Sequence, residues 1–329
     1  MKKTILKAAI AASLLAPAVA LAEPTVYGNV HVSINDFDTA KNLDMTSNTS
    51  SIGVKGSEDL GDGMKAIYKA EFQFDAADGD SAKDGTTGSG NGNALTQRDV
   101  WAGLKGGFGS IKLGTMSSNY KQKGGKVDSM YRTRLEGRGF MQTQSRLHGG
   151  RATNRGRMTN AVQYASPKFS GIQLVANISI SGSDEETTGV GVRWSNKSIM
   201  AYADWIDTVG NNATVSPNGT TESAMKVGAN YKGDAFFVGG QFEAAEDVTR
   251  NDYMHLNGGF NFTKNTSVSL TYGTQTHFND SLQDTASVAV LLNHKLSKKS
   301  KVYAGYGDRS SDTASKEESL FTVGIAKKF

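Results

Sequence analysis

Ten basic side chains fall between Met116 and Asn160: Lys121, Lys123, Lys126, Arg132, Arg134, Arg138, Arg146, Arg151, Arg155 and Arg157. Only Asp128 and Glu136 oppose them, so ten cations less two carboxylates leave this segment at +8. The chemistry open to such a cluster is electrostatic. Guanidinium groups bind carboxylates and phosphates, and several of them around a narrow wet passage enrich anions and repel cations. Covalent chemistry finds no support. The chain has no Cys, which excludes thiol nucleophiles, disulfides and cysteine-ligated metal. Its five histidines, His31, His148, His255, His277 and His294, lack the H-x-x-x-H or H-E-x-x-H spacing of a metal site. His31 and His255 are read as pore-lining positions, and the other three as solvated. The run Gly88-Ser89-Gly90-Asn91-Gly92 has the composition of a phosphate cradle, but no helix start follows it, and it reads as a loop. No catalysis, metal or cofactor is expected.

The elements that must position these charges show in the alternation. Val26, Gly28, Val30, Val32 and Ile34 share one parity, and Tyr27, Asn29, His31, Ser33 and Asn35 the other. The same split recurs over 64–74, 172–181, 254–262, 267–275 and 286–292, the signature of strands with one apolar and one polar face. Tight connections such as Gly61-Asp62-Gly63, Gly106-Gly107-Phe108-Gly109 and Thr263-Lys264-Asn265 alternate with longer polar loops. These loops run over about 36–49, 75–95, 117–155, 182–187, 208–221, 245–250, 277–284 and 309–316. Counting between them gives about sixteen strands in hairpins that alternate tight turn and long loop, the arrangement of outer-membrane barrels.

The 329 residues carry a net charge of +4, with 21% charged residues, 38 Gly and only 4 Pro. Lys2, Lys3 and Lys7, the apolar stretch Ala8 to Val19 and Ala20-Leu21-Ala22 have the form of a secretory signal over 1–22, leaving 23–329 as a single barrel domain. Without those three lysines the charge falls to about +1, which removes the support that a sequence pI of 9.0 would give to nucleic-acid binding. Beyond the leader no apolar run approaches the roughly 18 residues of a membrane-spanning helix.

Two architectures use such hairpins. A soluble sandwich buries its apolar faces, whereas a lipid-embedded barrel turns them outward around a wet lumen. Charged residues on polar faces in mid-strand (Lys55, Lys65, Lys69, Glu71, Arg98, Lys112, Arg157, Arg193 and Glu243) suit a hydrated lumen. Trp101, Trp194, Phe236 and Tyr68 fall on the apolar parity expected of interfacial girdles. Phe321, Val323, Ile325 and Phe329 place a strand at the chain's very end, suited to closing a barrel against the first. A secreted β-rich adhesin remains an alternative that the alternation alone does not exclude.

Several segments resemble the Gram-negative trimeric general porins of the Neisseria and Comamonas type. They include Val26-Tyr27-Gly28, Ser51-Ile52-Gly53-Val54-Lys55-Gly56, Arg98-Asp99-Val100-Trp101-Ala102-Gly103-Leu104, Phe108-Gly109-Ser110-Ile111-Lys112-Leu113-Gly114, Asn160-Ala161-Val162-Gln163-Tyr164-Ala165 and the terminal Phe329. Their order and spacing cover the mature chain. The resemblance implies an all-β transmembrane antiparallel barrel of about sixteen strands, homotrimeric in outer-membrane lipid and lipopolysaccharide. It also implies passive diffusion of small hydrophilic solutes, with a third external loop, here 117–155, folded into the lumen. The second loop, 75–95, would latch onto a neighbouring subunit.

On this reading Arg98, Arg157, Lys65 and Lys69 belong to the constriction wall. The family's third wall arginine is replaced here by Ser51. Arg132, Arg134 and Arg138 belong to the constriction loop, with Asp128 and Glu136 opposing or tethering them, and Tyr120, Tyr131 and Phe140 pack the loop onto the wall. Cation-preferring relatives set an acidic third loop against a basic wall; this loop is basic, so the channel is expected to lean toward anions. A substrate-specific channel for phosphate or sugar is the nearest alternative.

Overall fold

The computed structural model describes residues 24–77, 95–149, 156–180, 187–209, 221–278, 284–312 and 317–329. Strands occupy β1 (Thr25–Phe37), β2 (Asp44–Ser47), β3 (Ser51–Gly61), β4 (Met64–Gln73), β5 (Thr96–Gly106), β6 (Gly109–Ser117), β7 (Arg157–Ala165), β8 (Ile172–Ser179) and β9 (Thr188–Ser195). They continue through β10 (Ile199–Val209), β11 (Thr221–Lys232), β12 (Phe236–Ala244), β13 (Asn251–Asn261), β14 (Thr266–His277), β15 (Thr285–Lys295), β16 (Ser300–Ser311) and β17 (Glu318–Lys328). Neighbours in sequence pair antiparallel, except that β2 does not pair with β3. β2 and β3 lie end to end along the same edge of β1, which pairs with Asp44–Ser47 and then with Ser51–Lys55, so seventeen segments fill sixteen barrel positions.

Closure comes from the chain's end. β17 pairs with β1 from Asn29 opposite Lys328 to Phe37 opposite Leu320. Phe329 extends the ladder by one residue, donating its N–H to the Gly28 carbonyl at 3.1 Å. The sheet has no free edge left, the condition for a β-structure in lipid. Tight turns need glycine freedom: Gly61, Asp62 and Gly63 all have positive φ (84°, 50° and 74°) in the two-residue reversal between β3 and β4.

Burial decides between the two architectures. Outward positions are large and apolar, with Leu113 55% and Leu270 57% exposed, while the opposite parity is polar and covered, with Asn35, Glu243 and His255 at 0%. A soluble sandwich would show the reverse. Among the described residues no helix is long and apolar enough to cross a membrane, so strands do the crossing.

What fills the lumen is the connection between β6 and β7. Ser118 caps a helix, α1 (Asn119–Val127), its Oγ accepting the Lys121 N–H at 3.1 Å. The loop crosses the lumen to the far wall and is held there by two apolar clusters. One joins Tyr120 and Leu147 to Ile206, Ala224, Ala245 and Tyr253. The other joins Met130, Leu135, Phe140 and Met141 to Ala289, Leu291, Tyr303 and Leu320. Glycines on β16 make the second seat: a Cβ on Gly305 or Gly307 would stand 2.8 or 2.6 Å from the Leu135 methyls. The hydrophobic core of this molecule therefore lies inside the barrel, under the loop.

Candidate functional site

On β4, Lys69 and Glu71 face the lumen. β5 carries a bulge there: Ala70 opposes Val100 and Phe72 opposes Gln97, so Arg98 and Asp99 both stand against Glu71 and both reach inward. A second bulge, at Thr159 and Asn160 of β7 opposite Thr115 of β6, re-aims β7 so that Arg157 joins them. The result is a continuous chain of ion pairs. Arg98 Nε donates to Glu71 Oε1 at 2.7 Å, and Lys69 Nζ lies 3.0 Å from Glu71 Oε2 and 2.9 Å from Asp99 Oδ2. Arg157 Nε completes it at 2.9 Å from Asp99 Oδ1. Tyr27 Oη also donates to Glu71, at 2.8 Å. Both carboxylates are thus fully engaged by cations, and the wall holds three positive groups to two negative.

The loop faces this wall across a cavity of about 310 Å³, lined among others by Lys69, Asp99, Trp101, Lys112, Lys121 and Tyr131. Arg138 is spent on the loop itself, with Nε 2.7 Å from Glu136 Oε1 and Nη1 donating to the His148 carbonyl at 2.7 Å. Burial alone would raise the Glu136 carboxyl, but the Arg138 guanidinium outweighs it and holds it below its ordinary value. Arg132 is different. Among the described residues no carboxylate lies within 4 Å of its guanidinium, its Nε has no partner, and it belongs to the electrostatic surroundings of Arg98. It also adopts a left-handed φ of 64°, uncommon outside glycine. Arg134 likewise has an unpartnered Nε and lies over the Phe37 ring at 5.3 Å.

A family model described as Gram-negative porin matches residues 8–314. The chain belongs to the Gram-negative porin family. A major outer membrane protein P.IB of Neisseria lactamica is 28% identical over 255 residues, spanning 72% of this chain and 69% of the relative. An outer membrane porin protein of Bordetella pertussis is 30% identical over 211 residues, 58% of this chain and 51% of the relative. Among solved structures, the anion-selective porin from Comamonas acidovorans superposes with a TM-score of 0.77 at 19% identity, covering 94% of this chain and 100% of that one. This porin is accordingly an outer-membrane channel protein for passive diffusion of small hydrophilic solutes and ions.

Within the porin barrel the expected site residues separate. Arg98, Arg157 and Lys69 come together as described. Lys65 does not join them: four residues nearer the tight turn, about 13 Å along β4, it stands 3.8 Å from Asp59 with both side chains about half exposed. Ser51 is buried and donates to Asn29 Oδ1 at 3.0 Å. Arg132, Arg134 and Arg138 lie on the loop. Asp128 has no ion pair within 4 Å with any of them and acts on Arg138 only at longer range; its oxygens accept the Met130 and Gly137 N–H groups at 2.8 and 2.9 Å, fixing the loop's bend, and burial pushes its carboxyl up to about 7. Arg146 is exposed, and Arg151 and Arg155, like the second loop's glycine run, lie outside the described residues.

Four expectations need correction. Trp101 is not a girdle residue: Ala102 and Leu104 take the outward parity of β5, which turns Trp101 to the lumen. Tyr120 and Phe140 pack the loop onto the wall, but Tyr131 lines the cavity instead, with the Arg132 and Arg138 guanidiniums 5.6 and 5.5 Å from its ring. His148 is not solvated. At 2% exposure its Nε2 lies 2.9 Å from Glu243 Oε1 on β12, and burial lowers its imidazole to about 4 despite that carboxylate. His255 is covered too, its Nδ1 2.8 Å from Thr143 Oγ1.

Glu243 is the functional residue that sequence reading placed only as one more lumen charge. It accepts Ser145 Oγ at 2.5 Å, Ser145 N–H at 3.1 Å and Tyr120 Oη at 3.1 Å besides His148, and so ties the loop to the far wall. Its one visible signal was a carboxylate in mid-strand, with nothing to show a loop histidine 95 residues away as its partner. Lys121 is buried as well, its ammonium donating to the His148 and Gly149 carbonyls, and burial among arginines pushes it well below the usual lysine range. Among the described residues no group of three or more His, Asp or Glu is placed to hold a metal ion.

Proposed function

We propose that this porin's narrowest passage runs between the Lys69–Arg98–Arg157 wall and the Arg132–Arg134–Arg138 face of the third loop, and that it favours anions. One observation carries the reading. The wall carboxylates Glu71 and Asp99 are each engaged by two cations, and Glu136 by Arg138, while Arg132 and Arg134 have no carboxylate within 4 Å among the described residues. The uncompensated charge of the eyelet is positive. Low-dielectric walls concentrate that field, and physiological salt screens it beyond about 8 Å, so only charges at the eyelet count. Lipid and lipopolysaccharide surround the apolar belt, small anions and hydrophilic solutes are the molecules in transit, and the barrel assembles as a homotrimer. Residues 1–22 are a cleaved signal peptide, and sequencing of the mature protein from Glu23 checks this.

The deciding experiment is the zero-current potential of purified protein in a planar bilayer under a roughly tenfold KCl gradient. A potential of the anion-selective sign is expected. The cation-selective sign overturns the basic eyelet, and no conductance from folded protein overturns the open channel.

A further inference from the structure

Three features of the lumen wall converge on Trp101. Its cross-strand neighbours are Lys69 on β4 and Gly114 on β6, and Lys112 lies diagonally across, with Nζ 4.5 Å from the indole ring. Gly103, next along the same face of β5, and Gly114 carry no side chain to cover the ring; a Cβ on Gly114 would stand 2.9 Å from Trp101 Cα. The indole therefore packs on Met116, Met158 and Ala161, is otherwise framed by cations and glycines, and borders the 310 Å³ cavity, at the lower end of ligand-pocket sizes.

The cations of this cavity are not equivalent. Lys69 is held by Asp99 and Glu71, and Lys121 by two backbone carbonyls. Lys112 has no carboxylate within 4 Å among the described residues; its contact is the indole, and Asp99 reaches it only at longer range. Met116 and Tyr131 add polarizable and aromatic surface to the lining, and Ser117, Gln122 and Gln163 add polar groups. An unpaired ammonium beside an open indole is complementary to a solute with a carboxylate on a flat ring.

We infer that the eyelet of this porin contains a binding subsite for aromatic carboxylates, the ring lying against Trp101 and the carboxylate on Lys112. It rests on the reading of this cavity as the conducting eyelet. Benzoate in transit dwells there and interrupts the chloride current, while cyclohexanecarboxylate, of equal charge and similar bulk but without a π-face, passes with less hold.

Single-channel recording in KCl with added benzoate or cyclohexanecarboxylate tests this. Benzoate is expected to half-block at a concentration lower by about threefold or more, the range that ring stacking supplies. Trp101→Leu brings the two concentrations together, Trp101→Phe keeps part of the difference, and Lys112→Gln weakens block by both acids. Lipid-facing Trp194→Leu leaves the block unchanged, and heat-modifiable migration in SDS gels shows that each variant is folded. Equal block by the two acids, or block by neither, overturns the subsite. The reversal potential in carboxylate-free KCl is read separately, so a cation-selective sign there overturns the basic eyelet and not the ring preference.

Discussion

Replacing Glu243 by alanine removes the acceptor that ties both ends of the third loop, Tyr120 and Ser145–His148, to β12. Ser145 N–H and Oγ, Tyr120 Oη and His148 Nε2 all lose a carboxylate at 2.5–3.1 Å, and Tyr120, Ser145 and His148 are 0–2% exposed, so water cannot replace it while the loop stays docked. Tyr120 alone keeps a second acceptor, the Met225 carbonyl at 3.3 Å. A stranded buried donor costs about 1–3 kcal/mol, and breaking a buried charged pair about 3–5 kcal/mol in all. Because these contributions overlap, about 3–5 kcal/mol is the expected loss. What remains holds other parts of the loop: Asn119 stays bonded to Asn177 and Asp204, the Lys226 ammonium to the Tyr120 carbonyl, and the Arg309 guanidinium to the Phe140 carbonyl, while Tyr120 and Leu147 keep their apolar cluster at about 1.5–3 kcal/mol each. The loss thus falls on the Ser145–His148 segment, whose polar anchor is Glu243, and none of it falls on the strand ladders. The variant should form a heat-modifiable barrel of normal stability whose current is noisy, with excursions to a larger conductance as that segment leaves β12. Amide exchange over Ser145–His148 should quicken by two orders of magnitude or more, since about 1.4 kcal/mol is tenfold. Glu243→Gln, which keeps an acceptor of the same shape, should lie between. Wild-type conductance, noise and exchange in the alanine variant would refute the tethering role.

Arg132→Gly suits the residue's left-handed φ of 64° and deletes an unpaired charge. A unit charge about 8 Å from the ion path is worth about 0.5 kcal/mol in a water-like medium, so the anion-to-cation permeability ratio should fall by about two- to fivefold. No shift in zero-current potential would place Arg132 away from the path. Docking of the loop carries two opposed pH dependences. His148 falls from 6.5 to about 4 on docking, so its contribution is complete above 6.5 and lost as pH drops toward 4. Asp128 rises from 3.8 to about 7, so its contribution is complete below 3.8 and lost as pH climbs through 7. Asp128→Asn should remove the alkaline loss and leave current noise that grows only toward acid; noise still growing as pH rises through 7 would contradict it. Gly28→Ala would place a Cβ 2.4 Å from the Phe329 ring and 2.6 Å from the Ser51 carbonyl at the closing seam. A loss of about 1–3 kcal/mol is expected from such overpacking, read as a lower temperature of gel-shift unfolding in SDS; an unchanged temperature would mean the seam yields freely.

The residues themselves determined the barrel. Lipid demands an apolar outer face on every strand, and that demand is met locally, by a period of two that survives in nearly every segment from Val26 to Ile325. The strand at the chain's end, the tight-turn and long-loop alternation and the basic third loop are equally local, and β17 does close on β1. Neutralisation of the charges was decided only by tertiary structure. Glu71 meets Arg98 27 residues on, Asp99 meets Arg157 58 residues on, and His148 meets Glu243 95 residues on. No local pattern encodes such meetings, because the first two depend on the pairing and bulges of separate strands and the third on a loop that folds back across the lumen. The bulges in β5 and β7 act in the same way. A single extra residue resets the period-two count, which sends Arg98 inward beside Asp99 and leaves Trp101 facing ions where alternation alone had placed it in lipid. Sequence shows that the third loop is rich in arginine; among Arg132, Arg134 and Arg138, the fold pairs Arg138 with Glu136 and leaves the other two without a carboxylate within 4 Å among the described residues.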